Sequence, residues 1–245
     1  MTTIIKFIVG LLAALLVTSC NFDFTFGQMQ GNGNVITQDM NISGNFEEVS
    51  ASNGWEVFLE KGSSNSVIIE ADENLVDAAE VYIENGNLKI KCEKGIGNAT
   101  SKKVYVTYAQ PLSEINVSSG ASLYTKEVLE GNNLEFDASS GGTMKIEVVA
   151  KNVETDVSSG GVIRLSGTTD RLDASASSGG VARISDLKAI SATADVSSGG
   201  VLNIYVSQDL KADASSGGVI SYYGNPKNVD KPKKSNSGGV IVSKD

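Results

Sequence analysis

The chain has no histidine. Without imidazole, a Ser-His-Asp triad, a Cys-His pair and a His-ligated zinc site cannot be built. Arginine is also scarce: Arg164, Arg171 and Arg183 are the only three in 245 residues. The 20 basic side chains are outnumbered by 29 acidic ones, for a formal charge of −9. A nucleic-acid binder needs a basic face, so this balance argues against that class. Three prolines rule out a proline-rich linker, and two cysteines, Cys20 and Cys92, cannot form a disulfide framework. The longest apolar run, Phe7–Val17, has too few residues for a bilayer span of about 20. What the chain does have is glycine, 26 residues of it, and a hydrophobic fraction of 40%, enough for one sizeable core with many tight corners.

The first residues are a targeting segment, not part of a fold. Lys6 precedes the run "FIVGLLAALLV", which suits the core of a secretory signal over residues 1–19. The run ends in Val17-Thr18-Ser19-Cys20, which resembles the bacterial lipoprotein cleavage box. That resemblance implies a lipidated Cys20 as the new N-terminus and a membrane partner through the lipid. The expected location is the outer membrane, on its periplasmic side or at the cell surface. Residues 20–32, with Phe22, Phe24 and Phe26, read as a tether, and residues 33–245 as one domain. Cys92 alternates with Leu88 and Ile90 on one strand face, so it reads as a small buried hydrophobe.

Residues 33–110 read as short strands with one helical turn over Glu73–Ala79 and a hairpin at Asn85-Gly86. From residue 111 the chain becomes periodic. Ser-Ser-Gly-Gly corners, or close variants, place their first glycine at Gly120, Gly141, Gly160, Gly179, Gly199, Gly217 and Gly238. An earlier copy is Ser52-Asn53-Gly54-Trp55. After the corner, Ile163 and Leu165 flank Arg164; before it, Val153, Thr155 and Val157 alternate with Glu154 and Asp156. Each repeat therefore reads as strand, corner, strand and return loop, with period-2 alternation of apolar and polar residues. Such a unit buries its apolar face only by stacking on copies of itself. The pattern predicts an all-β chain, a right-handed parallel β-helix (β-solenoid) with repeats of about 20 residues, with an antiparallel β-sandwich as the alternative. Alternation also predicts that the second serines, Ser140, Ser159, Ser178, Ser198 and Ser216, point inward as a hydroxyl ladder.

Three segments carry a family likeness: "FEEVSASNGWEVFLEKG" (Phe46–Gly62), "VIIEADENLVD" (Val67–Asp77), and the recurrent "DVSSGG" and "DASSGG" with the closing "YYGNPKNV" (Tyr222–Val229). On these the chain resembles the bacterial family called putative auto-transporter adhesin, head GIN domain, common in Bacteroidetes lipoproteins. The likeness runs from about residue 34 to 243. It implies a right-handed β-helix related in shape to pectin-lyase-type solenoids and adhesin heads, and it establishes no activity.

The candidate chemistry is thin. The outward column Asp137, Asp156, Ser175, Asp195, Asp213 offers carboxylates to a cation such as calcium, but a solvated acidic face explains it as well. Val162, Val181, Val201 and Val219 begin each strand after a corner and form an outward β-branched stripe, a docking-face candidate. Tyr124, Tyr205 and Tyr223 also fall on the outward register, and Trp55 at its corner fits either side. Lys227, Lys231, Lys233 and Lys234 form a basic patch near the C-terminus. No charged cluster breaks the repeat as a catalytic set would, so no catalytic residue, metal or cofactor is expected. The reading is a non-catalytic binding or structural protein presenting stacked strands to a polysaccharide or protein. The alternative is a carbohydrate-active enzyme, a polysaccharide lyase or hydrolase of pectin-lyase shape. A serine nucleophile is needed once, whereas "VSSGGV" recurs on rung after rung, so its serines read as corner residues.

Overall fold

The computed structural model describes residues 27–231 and 238–244. The signal segment, Cys20 and residues 21–26 of the tether lie outside them, as do Lys233 and Lys234. The elements are β1 (Val35–Met40), β2 (Glu48–Ala51), β3 (Glu56–Lys61), β4 (Ser66–Asp72), α1 (Glu73–Asp77), β5 (Ala79–Glu84), β6 (Asn87–Cys92) and β7 (Lys102–Tyr108). They continue as β8 (Glu114–Val117), β9 (Ser122–Thr125), β10 (Leu129–Ala138), β11 (Thr143–Val157), β12 (Val162–Ala176) and β13 (Val181–Val196). The chain closes with β14 (Val201–Ala214), β15 (Val219–Tyr223), β16 (Asn228–Asp230) and β17 (Val240–Ser243).

From β8 onward every strand pairs in parallel with a copy one repeat away. The result is a β-solenoid of about six turns, and the sandwich alternative falls away. Two faces of each rung matter below. The leading face enters the corner (152–157 in β11), and the trailing face leaves it (162–166 in β12). Inward residues such as Ile163, Leu165, Leu172, Ala174 and Ala176 are 0–2% exposed, and all join one core. Each large aliphatic buried this way contributes about 1.5–3 kcal/mol.

The expected return loop is not a loop. β11 and β12 each run unbroken for 15 residues from one corner to the next, so a third short strand segment closes the rung. The uneven corner spacing is absorbed from the end of the trailing face onward: the β12–β13 and β13–β14 registers slip only between Arg164 and Ser166, between Ile184 and Lys188, and between Ala189 and Ser191. Bulges are how a ladder takes up an odd residue. The columns nearest the corner therefore stay aligned.

The corner is a two-residue turn. Gly161 N–H donates to Ser158 O at 2.8 Å, and the central residues Ser159 and Gly160 have φ of 49° and 74°. Two positive φ values define a type I′ turn. The two glycines of the corner do different work. Gly160 supplies the left-handed backbone and has open space around it. Gly161 is buried, and a Cβ there would lie 2.3 Å from Ala138 O of the rung before, so only glycine lets the rungs approach. The second serines do not point inward as expected. Ser140, Ser159, Ser178, Ser198 and Ser216 are exposed, with φ of 47–50°. The turn interrupts the period-2 alternation, which continues only outside it. Backbone groups hold the corner instead: Ser158 N–H donates to Ala138 O (2.9 Å) and Gly141 N–H to Ser159 O (3.2 Å).

The N-terminal end reverses direction. β6 and β7 lie parallel under β2 and β3, but β4 runs antiparallel to β7, β5 to β6 and β1 to β4. Trp55 occupies the position of the buried glycine on this rung and is fully buried. Asp72, 0% exposed, ties the end together. Its carboxylate accepts from the backbone N–H of Gly33 (3.0 Å), Ser101 (3.0 Å) and Thr100 (3.1 Å). Burial raises the pKa of such a group, but these three donors outweigh it, and the carboxyl is held below its ordinary value.

Candidate binding faces

Parallel in-register stacking places every repeated outward residue directly over its copy, about 4.8 Å away. Position in the repeat thus becomes a column along the solenoid.

The leading face is acidic. Glu48, Glu114, Glu135, Glu154 and Asp173 form one column, followed by Thr193, Lys211 and Asp230. Asp137, Asp156, Ser175, Asp195 and Asp213 form the next. The sequence-derived acidic column is therefore in register. Burial first, then Glu135 and Asp156, push the Asp137 carboxyl up to about 6. Glu135 is raised by burial and by Glu114 and Glu154, and Asp195 by burial, Asp213 and Asp173. Among the described residues, no group of three or more acids or cysteines converges as metal ligands would.

Beside these columns a groove of about 1080 Å³ follows the axis. One wall is a ladder of Asn133, Asn152 and Arg171; the other is the glutamate column. The Asn152 amide donates to Asn133 Oδ1 (2.6 Å), and Arg171 Nε donates to Asn152 Oδ1 (2.9 Å). Sequence reading passed over this wall because its column runs Asn133, Asn152, Arg171, Ser191 and Asp209, with no single residue type to mark it.

The trailing face has another character. Thr143, Val162, Val181, Val201, Val219 and Val240 stack in register, and the first five are half-buried. One outward position further lie Tyr105, Phe58 and Tyr124, then Lys145, Arg164 and Arg183, then Asn203 and Ser221. The aromatic rings stack with centroids 5.5 Å apart, so both faces of Phe58 and one face each of Tyr105 and Tyr124 are already occupied. In water each neighbouring pair of cations repels by about 0.9 kcal/mol. Tyr205 and Tyr223 pair in register, and the Lys188 ammonium lies 3.9 Å from the Tyr205 ring centre.

Trp55 belongs to the core rather than to a surface. Cys92 is buried, and burial pushes its thiol up to about 11, so it is not a reactive thiolate. Lys227 and Lys231 are exposed. No helix among the described residues is long and apolar enough to cross a membrane.

Residues 45–226 match the family described as putative auto-transporter adhesin, head GIN domain. No curated protein matches the chain. Solved structures share the architecture. A protein from Bacteroides fragilis described as a putative adhesin is 18% identical with a TM-score of 0.78, covering 88% of this chain and 100% of its own. One from Parabacteroides distasonis described as a putative lipid binding protein is 22% identical with a TM-score of 0.64, covering 89% and 100%. A third, from Parabacteroides merdae, described as a putative adhesin, is 18% identical with a TM-score of 0.68, covering 89% and 100%. At these identities the likeness is one of fold.

Proposed function

Because the chain belongs to the family of putative auto-transporter adhesins with a head GIN domain, we propose that it is a non-catalytic, adhesin-like protein of the cell envelope. It is anchored to the outer membrane through a lipidated Cys20 and presents its stacked strands to an extracellular or periplasmic polymer, a polysaccharide before a protein. The observation that carries this reading is the alignment of outward columns on both sides of the corner. Identical groups at strand spacing suit a ligand that is itself a repeat. Among the described residues no group of three or more acids or cysteines converges beside them, which favours holding over turnover.

Glycan and matrix-protein arrays probed with the full chain test the proposal. Saturable binding to a repeating polymer is expected, and silence on both arrays would leave only a structural envelope role. Turnover of a polyuronate panel, abolished by replacing a single aspartate, would replace it with an enzyme. For the anchor, Cys20→Ala should release the protein from the membrane fraction; continued sedimentation with membranes would refute lipidation.

A further inference from the structure

Four ion pairs occur among the described residues: Lys89–Glu84, Lys91–Glu80, Lys103–Glu70 and Lys126–Glu60. All four lie between residues 60 and 126. Lys145, Arg164 and Arg183 take part in none of them, although the chain has nine more acids than bases. By register their nearest acidic neighbours are Glu147 and Asp186, one outward position on, and neither forms an ion pair with them. Three cations are thus stacked on adjacent rungs, two of them from the chain's three arginines. The half-buried Val162, Val181 and Val201 line one flank, and Tyr124 extends the same column.

We propose that this trailing-face column, Lys145, Arg164 and Arg183, is a binding site for a linear anionic polysaccharide, with one carboxylate or sulfate per rung. The inference rests on the adhesin-like reading above and names its face and ligand class. Each cation sits one strand spacing from the next, so a chain with an acid group on each sugar can meet all three in order. Guanidinium groups favour this role because they take a carboxylate or sulfate through two parallel N–H bonds. The valine flank supplies dry, rigid contact for ring C–H groups. The acidic columns lie on the other side of the corner, and at physiological salt a charge is screened within about 8 Å. A flexible polymer can follow the sheet's twist along the column. A second rigid solenoid, offering its glutamate column, would meet fewer rungs and would add charge to an already acidic particle.

The test uses the full chain on immobilised polygalacturonate, with fully methyl-esterified polygalacturonate as the neutral probe. Retention on the acid form is expected to fall with added salt, and none is expected on the ester. The triple variant Lys145→Gln, Arg164→Gln, Arg183→Gln should bind about tenfold more weakly. It should melt no lower than the parent, because all three side chains are outward and their mutual repulsion is removed. Lys227→Gln with Lys231→Gln, which removes basic charge elsewhere, should stay within about twofold. Equal losses in the two variants would reduce the effect to net charge and overturn the site. Equal binding of acid and ester would overturn the ligand class while leaving a glycan-binding adhesin. Self-association in sedimentation that the triple variant abolishes would assign the column to a second copy instead. Binding to neither polymer, with other glycans captured on the array, would defeat this inference alone; an array blank throughout would defeat the adhesin reading beneath it.

Discussion

Residues 27–126 and the stack from β10 to β15 share one core but distribute charge differently. At the N-terminal end strands reverse, and neighbours across a ladder come from unlike sequence. Glu80 faces Lys91 and Glu70 faces Lys103 in antiparallel register, so opposite charges meet. In the stack, strands are parallel and repeats align with themselves. Glu135 lies over Glu154, and Arg164 over Arg183. A parallel repeat turns each outward residue into a column of its own kind, so charge repeated in sequence cannot neutralise itself. The end of the molecule is built to close, and the stack to present.

The largest expected effect lies at the closing end. Trp55→Ala empties the bulkiest fully buried position and should cost about 4 kcal/mol in urea unfolding. A loss below 1 kcal/mol would mean that the end is not part of the cooperative unit. Next come the two corner glycines. Gly161→Ala drives a methyl into Ala138 O and should cost about 3 kcal/mol, whereas Gly160→Ala meets open space and only the left-handed backbone, about 1 kcal/mol. Reversal of that order would contradict the close approach of rungs.

A pH profile sharpens the contrast further. Asp137 titrates near 6 in the folded protein and near 3.8 when unfolded. The native state takes up its proton first, so stability rises as pH falls through that window. Asp72 acts in the opposite sense: its contribution is full above 3.8 and is lost as pH falls below it. The melting temperature should therefore peak between about 4 and 6. Asp137→Asn should flatten the upper slope and, after solvent screening, stabilise the protein at pH 7 by about 1 kcal/mol. A melting temperature that falls steadily from pH 7 to 5 would contradict the acidic-column account. The smallest change belongs to Ser159→Asn. Asparagine tolerates the same left-handed turn, so stability should move by less than about 0.5 kcal/mol. A larger loss would restore a role for the serine hydroxyl.

Much of this was legible in the sequence, for physical reasons. Ile163 and Leu165 around Arg164, and Asp156 between Thr155 and Val157, fix a period of two, and the recurrence of Ser-Ser-Gly-Gly fixes the stacking. The orientation of Ser159 was not legible, because a turn with two positive φ values steps outside that period. Asn85-Gly86 did mark the β5–β6 hairpin, but the direction of β4 was not legible: antiparallel strands carry the same alternation as parallel ones, and a structure that occurs once leaves no repeat to align. Trp55 illustrates the limit. In the chain it looks like a defect in the corner motif, and in three dimensions it is the plug beneath the first one.

The bulges between Ile184 and Lys188 have a consequence for how such a protein can change length. Irregularity begins only beyond Arg164 on the trailing strand, while the corner and the two columns next to it keep register. Removing residues 162–180, one 19-residue period, would join Gly161 to Val181 and should shorten the solenoid by one rung without rotating any column. Duplicating the same segment would lengthen it. The stack behaves as a ruler with one graduation per turn, and reach along a partner is set by counting turns rather than by redesigning a surface.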